Sequence, residues 1–120
     1  MGEPMGYDLH ITRASHWTES ESAPITLPEW MEYIKNDPEM RLEEVAVARV
    51  KGKPGVEYRS KGLAVWTAYS GRDPRGDMAW FDYRRGRIVV KNPDEAIRAK
   101  MKKIAAAFGA NVVGDDGERY

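Results

Sequence analysis

The chain has 120 residues, nineteen basic and nineteen acidic side chains, 42% hydrophobic residues and no cysteine. That size and balance suit one globular domain with a true core. The lack of cysteine excludes disulfides, thiolate metal sites and a cysteine nucleophile, and suits a reducing cytoplasm. No apolar run reaches the roughly 18–20 residues that a membrane-spanning helix needs. Met1-Gly2-Glu3-Pro4 has neither the basic nor the apolar region of a signal peptide. A cytoplasmic chain with no membrane association is expected, with residues 1–5 disordered or an extension ahead of the domain.

Tyr7 to Arg13 alternates, with Tyr7, Leu9 and Ile11 on one face and Asp8, His10 and Thr12 on the other, which predicts a half-buried strand. Ser15 to Pro24 is rich in Ser and Glu, lacks periodicity and reads as a surface loop carrying Trp17. Thr26 and Glu29 form a capping-box pair. Ile25 and Trp30 flank it as a hydrophobic staple, and Pro28 is tolerated in a first turn. A helix should run to about Asn36 and stop at Asp37-Pro38.

Arg41 to Val50 reads as one strand, residues 51–55 as a turn and Val56 to Arg59 as a short strand. Leu63 to Tyr69 is apolar on both faces and reads as a central strand. Residues 70–77 form a loop, and its Arg75-Gly76-Asp77 tripeptide carries no weight in so charged a segment. Met78–Tyr83 and Arg87–Lys91 read as a hairpin across a three-residue loop, Arg84-Arg85-Gly86, with Gly86 in the left-handed position. Asn92 is the expected cap of a second helix with Pro93 at its first position. Ile97, Met101, Ile104, Ala105 and Phe108 make its apolar stripe, and Gly109 ends it. A short strand, Asn111-Val112-Val113, then turns at Asp116-Gly117, with Asp115 capping the turn and residues 118–120 returning. The whole predicts a single α+β domain, a mostly antiparallel sheet with two helices in the order β-α-β-β-β-β-α-β-hairpin.

Charge is unevenly spread. Residues 1–50 carry four basic and ten acidic side chains, whereas residues 51–103 carry fourteen and six. In the basic segment Lys51, Lys53, Arg59, Lys61, Arg72, Arg75, Arg84, Arg85 and Arg87 flank Tyr58, Trp66, Tyr69, Trp80, Phe81 and Tyr83. That pattern could stack and clamp a single nucleic-acid strand. No ribonucleoprotein motif accompanies it and most of those aromatics are needed for a core, so nucleic acid is not the expected partner. Trp30, Trp66 and Trp80 are assigned to the core. Trp17, in its polar loop, is either an interface anchor or a lid on the sheet.

Asp115, Asp116 and Glu118 could offer oxygen ligands to a divalent cation, but the segment lacks the spacing of a calcium loop. His10 and His16 are the only histidines, and their six-residue gap matches no zinc signature. His10 beside Asp8 and Thr12 could serve as a general base in a small hydrolase or metal-dependent enzyme. There is no phosphate-binding glycine loop, dinucleotide fingerprint or nucleophile elbow, so no catalytic residue, metal or cofactor is assigned.

The opening Tyr7-Asp8-Leu9-His10-Ile11-Thr12-Arg13 with Trp17, and the close from Asn92-Pro93-Asp94 to Gly114-Asp115-Asp116-Gly117-Glu118-Arg119-Tyr120, resemble a family of small uncharacterised bacterial proteins. Members are similar in size and style to the immunity proteins that accompany bacterial toxins. By analogy the resemblance implies a protein-binding module and carries over no catalytic residue. The expected partner is another protein. The expected contact residues are Trp17, Glu19, Glu21, Asp115, Asp116 and Glu118, with Asp8, His10 and His16 as a neighbouring polar site.

Overall fold

In the computed structural model, residues 7–48, 56–70 and 78–120 are described. The expectations for residues 1–5, 51–55 and 71–77 lie outside them. Strand β1 (Asp8–Thr12) is the first element of the chain and lies second from one edge of the main sheet. It pairs antiparallel with β7 (Arg87–Lys91) on one side and β8 (Asn111–Gly114) on the other. The six-stranded sheet runs β2-β5-β6-β7-β1-β8, where β2 is Met40–Leu42, β5 is Ala64–Trp66 and β6 is Trp80–Arg84. β3 (Val45–Ala48) and β4 (Val56–Arg59) form a separate two-stranded hairpin.

Helices α1 (Leu27–Asn36) and α2 (Glu95–Phe108) cover one face. Alternation on the strands sends Leu9, Ile11, Phe81, Ile88, Val90 and Val112 into that layer. Trp30 and Ile34 of α1 and Ile97, Met101 and Ile104 of α2 meet them there. The architecture is the α+β arrangement that the sequence predicts. α1 has its complete capping box: Glu29 N–H donates to Thr26 Oγ1 at 3.3 Å and Thr26 N–H donates to Glu29 Oε1 at 3.0 Å.

Several local expectations are corrected. The cap of α2 is Asp94, whose carboxylate accepts from Ile97 N–H at 2.9 Å. Asn92 instead adopts a left-handed φ of 43° and donates its N–H to Tyr7, because the strand must turn before the helix begins. The Arg41–Val50 segment is two strands. Glu44 takes φ 61° between them and, with Glu43, donates to the carbonyl of Leu63, so β2 stays in the main sheet while β3 leaves it. The segment at 63–69 is the three-residue β5, second from an edge rather than central. Trp80 faces away from the helices and is half-buried; Trp66 packs at the rim of the core; only Trp30 is fully enclosed.

The segment at 15–24 holds a 3-10 helix, Trp17–Ser22, capped by His16, whose Nδ1 accepts from Thr18 N–H at 3.2 Å. It packs on the tip of the β6–β7 hairpin. That hairpin has a two-residue loop, since Arg84 pairs with Arg87 and both Arg85 and Gly86 have positive φ, 46° and 83°. A Cβ on Gly86 would lie 2.8 Å from Pro24 Cβ and 3.0 Å from Ser20 O. Glycine is required there by contact as well as by dihedral angle. Among the described residues no helix is long and apolar enough to cross a membrane.

Candidate functional site

On the sheet face away from the helices, β1 presents Asp8 and His10, and β7 presents Arg87 and Val89. His10 pairs directly with Val89 and Val113. Arg87, two residues before Val89, is therefore its diagonal neighbour. Unlike an ordinary half-buried strand, β1 is closed on this side too: His10 is 2% exposed and Thr12 is fully buried. The cover is Trp17, whose indole stacks on the His10 imidazole with ring centroids 4.6 Å apart and planes 7° from parallel.

The C-terminal turn closes the site from the other end. Its loop is three residues, Asp115 to Gly117, between Gly114 and Glu118, whose backbones pair at 2.8 Å. Gly117 N–H bonds Gly114 O at 3.0 Å and Gly117 itself has φ 87°, a type I turn followed by a left-handed residue. The two-residue Asp116-Gly117 turn of the sequence reading is not formed. A Cβ on Gly117 would lie 2.7 Å from the His16 ring, so the turn seats directly on the cap of the 3-10 helix.

Freed from capping its own turn, the Asp115 carboxylate reaches across to β1. Oδ2 accepts from Asp8 N–H at 2.9 Å, and Oδ1 lies 2.8 Å from His10 Nε2. The Asp115 carbonyl accepts from Trp17 Nε1 at 2.9 Å. Arg87 Nε donates to His10 Nδ1 at 3.2 Å, and its guanidinium carbon sits 4.9 Å from the centre of the Trp17 ring. This pattern is complete for a neutral imidazole that carries its proton on Nε2 and gives it to Asp115. The electrostatics agree: burial first, and the Arg87 charge further on, push the His10 pKa below its usual value against the opposing pull of Asp115.

His10, Trp17 and Asp115 thus converge, and His16 borders them through Trp17 at 5.8 Å. The other candidates are placed differently. Asp8 lends its backbone N–H to Asp115, while its Oδ1 is buried without a hydrogen-bond partner among the described residues. Burial, then the Asp115 charge, raise its pKa. Glu118 turns away to accept a short hydrogen bond from Tyr7 Oη, which holds its carboxyl below the usual range. Glu19, Glu21 and Asp116 are exposed on the rim. Among the described residues no group of three or more His, Asp or Glu side chains is arranged to hold a metal ion.

A carboxylate 2.8 Å from an imidazole suggests an oriented general base, yet such a base needs a nitrogen that faces substrate. Here both nitrogens are engaged and the ring face is covered. The cluster acts as a clamp: it ties the 3-10 helix, the C-terminal turn and the start of β7 to β1.

Beyond the clamp, the same face carries a groove that the sequence reading divided between core and loop. Asp82, on β6, accepts from Tyr58 Oη at 2.6 Å, Ser60 Oγ at 2.8 Å and Arg84 Nε at 2.9 Å. These bonds hold the end of β4 against the main sheet. Of the aromatics grouped with the basic segment, Phe81 is buried in the core and Tyr83 packs against it, donating to Ile25 O at 2.8 Å, whereas Tyr58 and Trp80 remain on the open face. Asp82 is the residue that sequence reasoning missed, and Arg87 enters the sequence reading only as part of the basic segment. Strand alternation places each on the helix-free face, but not next to its partner.

Comparison with protein-family models, with curated proteins and with solved structures returned no match. The assignment of function therefore rests on the chain's own geometry.

Proposed function

We propose that the chain is a non-enzymatic protein-binding module, of the type that neutralises a toxin by occupying its surface. The observation that carries this reading is the closed state of the His10 cluster: the imidazole has both ring nitrogens bonded and its face under Trp17. What the cluster leaves for a partner is a firmly held rim. Glu19 and Glu21 on the 3-10 helix and Asp116 on the turn are exposed, while the backbones beneath them are fixed by Trp17, Asp115 and the Gly117–His16 contact. Pre-set charged side chains on a rigid support lower the ordering cost of association and steer encounter.

The test is calorimetric titration with the product of the neighbouring gene. Binding is expected, and Glu19→Lys with Glu21→Lys should weaken it by about tenfold or more, since reversing two rim charges opposes a cationic surface. No heat and no co-elution, or indifference to the double reversal, removes the proposed surface.

The competing reading, a small hydrolase that uses His10 and Asp115, draws on their 2.8 Å pairing. It requires Arg87 to leave Nδ1 and Trp17 to lift. Ester or phosphoester hydrolysis that disappears in His10→Gln while the fold persists would favour it over binding alone.

A further inference from the structure

Two depressions adjoin on the helix-free face and share Tyr58 and Arg84. One, of about 660 Å³, lies between the 3-10 helix and the hairpin tip, with Trp17, Arg85, Arg87 and Glu21 among its walls. The other, of about 320 Å³, is lined by Leu63, Met78, Trp80 and Val89, with Lys91 at its edge. Their charges are not balanced alike. Arg84 has its carboxylate, Asp82, at 2.9 Å. Among the described residues neither Arg85 nor Arg87 has a carboxylate within ion-pairing distance.

Arg87 is held in place: its Nε is anchored on His10 and its guanidinium lies by Trp17, and among the described residues no hydrogen bond engages its two terminal nitrogens. Burial above all, and then the charges of Arg84 and Arg85, lower its pKa against the opposing pull of Glu21 and Asp115. An incoming anion would relieve that repulsion. The adjoining depression is mostly apolar and would take a bulky side chain.

We propose that this groove receives a loop of a partner protein that places an acidic side chain between Arg85 and Arg87 and a neighbouring large apolar side chain against Trp80 and Met78. The inference rests on the protein-binding reading and specifies the partner's chemistry. A nucleic-acid strand offers a phosphate at every step, and here the second phosphate would meet Glu21 on one side and Asp82 on the other. A single carboxylate on a folded surface can lie between the arginines without a second anion being driven toward Glu21. With the acidic rim alongside, the interface carries both signs in a fixed order, which sets the orientation of the partner as well as its affinity.

The test follows the indole and arginine Nε–H resonances of the full chain by NMR. The probes are the capped peptide Glu-Phe-Glu, its Gln-Phe-Gln counterpart and a short oligouridylate. The acidic peptide should shift Trp17, Trp80 and Arg87 at millimolar concentration and the neutral one should not. Arg85→Glu should abolish the response, with unchanged folding checked by circular dichroism, because that side chain is exposed. Equal response to both peptides, or none at these resonances, overturns the proposal. Tighter and steeply salt-dependent binding of the oligouridylate overturns it in favour of nucleic acid.

The same variant separates this inference from the reading beneath it. If the neighbouring gene's product binds the native chain and Arg85→Glu alike, the groove proposal falls and the protein-binding reading stands. If the acidic peptide fills the groove and that product does not bind, the groove stands and toxin neutralisation falls.

Discussion

The His10 clamp and the arginine groove lie side by side on one sheet face and share Arg87, but they differ in what their polar atoms still lack. In the clamp, Asp115, His10, Trp17 and the Asp8 N–H use one another's donors and acceptors, and the ring at its centre is shut from solvent. In the groove, Arg85 and Arg87 are without carboxylates among the described residues while an apolar depression stands open beside them. Polar residues of one kind therefore play opposite roles. A satisfied network fixes structure, whereas an unsatisfied pair of cations on a fixed support invites a ligand.

The sharpest way to break this contrast is Asp115→Ala. It strips the acceptor from Asp8 N–H and His10 Nε2–H in a closed site and should cost about 2–3 kcal/mol in urea unfolding. The near-ultraviolet signal of Trp17 should weaken with it. A cost below about 0.5 kcal/mol, the level of an ordinary surface change, would mean that the cluster is not a clamp.

Gly117→Ala comes next. Its φ of 87° and the 2.7 Å approach of its Cβ to His16 should together cost about 1–2 kcal/mol, read by the same unfolding curve. Full stability in that variant would show that the turn does not bear on the 3-10 helix.

The pH dependence of stability follows from His10. Its folded-state pKa lies below the ordinary 6.5, so the unfolded chain takes up the proton first as pH falls. The contribution present above pH 6.5 is lost as pH drops toward the folded-state value, by no more than about 1.4 kcal/mol per pH unit. His10→Gln should flatten that slope below pH 6.5, measured as melting temperature against pH. An unchanged slope would assign it to the carboxylates instead.

The smallest expected effect is the most telling for the groove. Arg85→Ala should alter stability by less than about 0.5 kcal/mol, since its exposed side chain meets no carboxylate among the described residues. A larger loss would make Arg85 part of the scaffold and dissolve the contrast.

Local chemistry is legible in this chain wherever neighbours in sequence are neighbours in space. The Thr26–Glu29 box, the stripe from Ile97 to Phe108 and the Gly109 terminus are present as read, whereas β1, read as half-buried, is buried on both faces. Local reading went astray where a distant segment outbid a nearby one. Asn92 has the side chain of a cap, yet its N–H is taken by Tyr7, and the cap passes to Asp94. Asp115 sits beside a hairpin dipeptide, yet its carboxylate serves a strand more than a hundred residues earlier.

By itself, then, the sequence determined the two α-helices, the α+β class and which residues share each face of β1, because periods of two and 3.6 residues and the capping pairs act over a few positions. Only the tertiary structure decided that β1 lies between β7 and β8. That placement brings Asp115, Trp17 and Arg87 onto His10 and leaves the Arg85 side chain without a carboxylate among the described residues. Which strands become neighbours is set by how the whole apolar face is covered, and the pairing of charges on the opposite face follows from it.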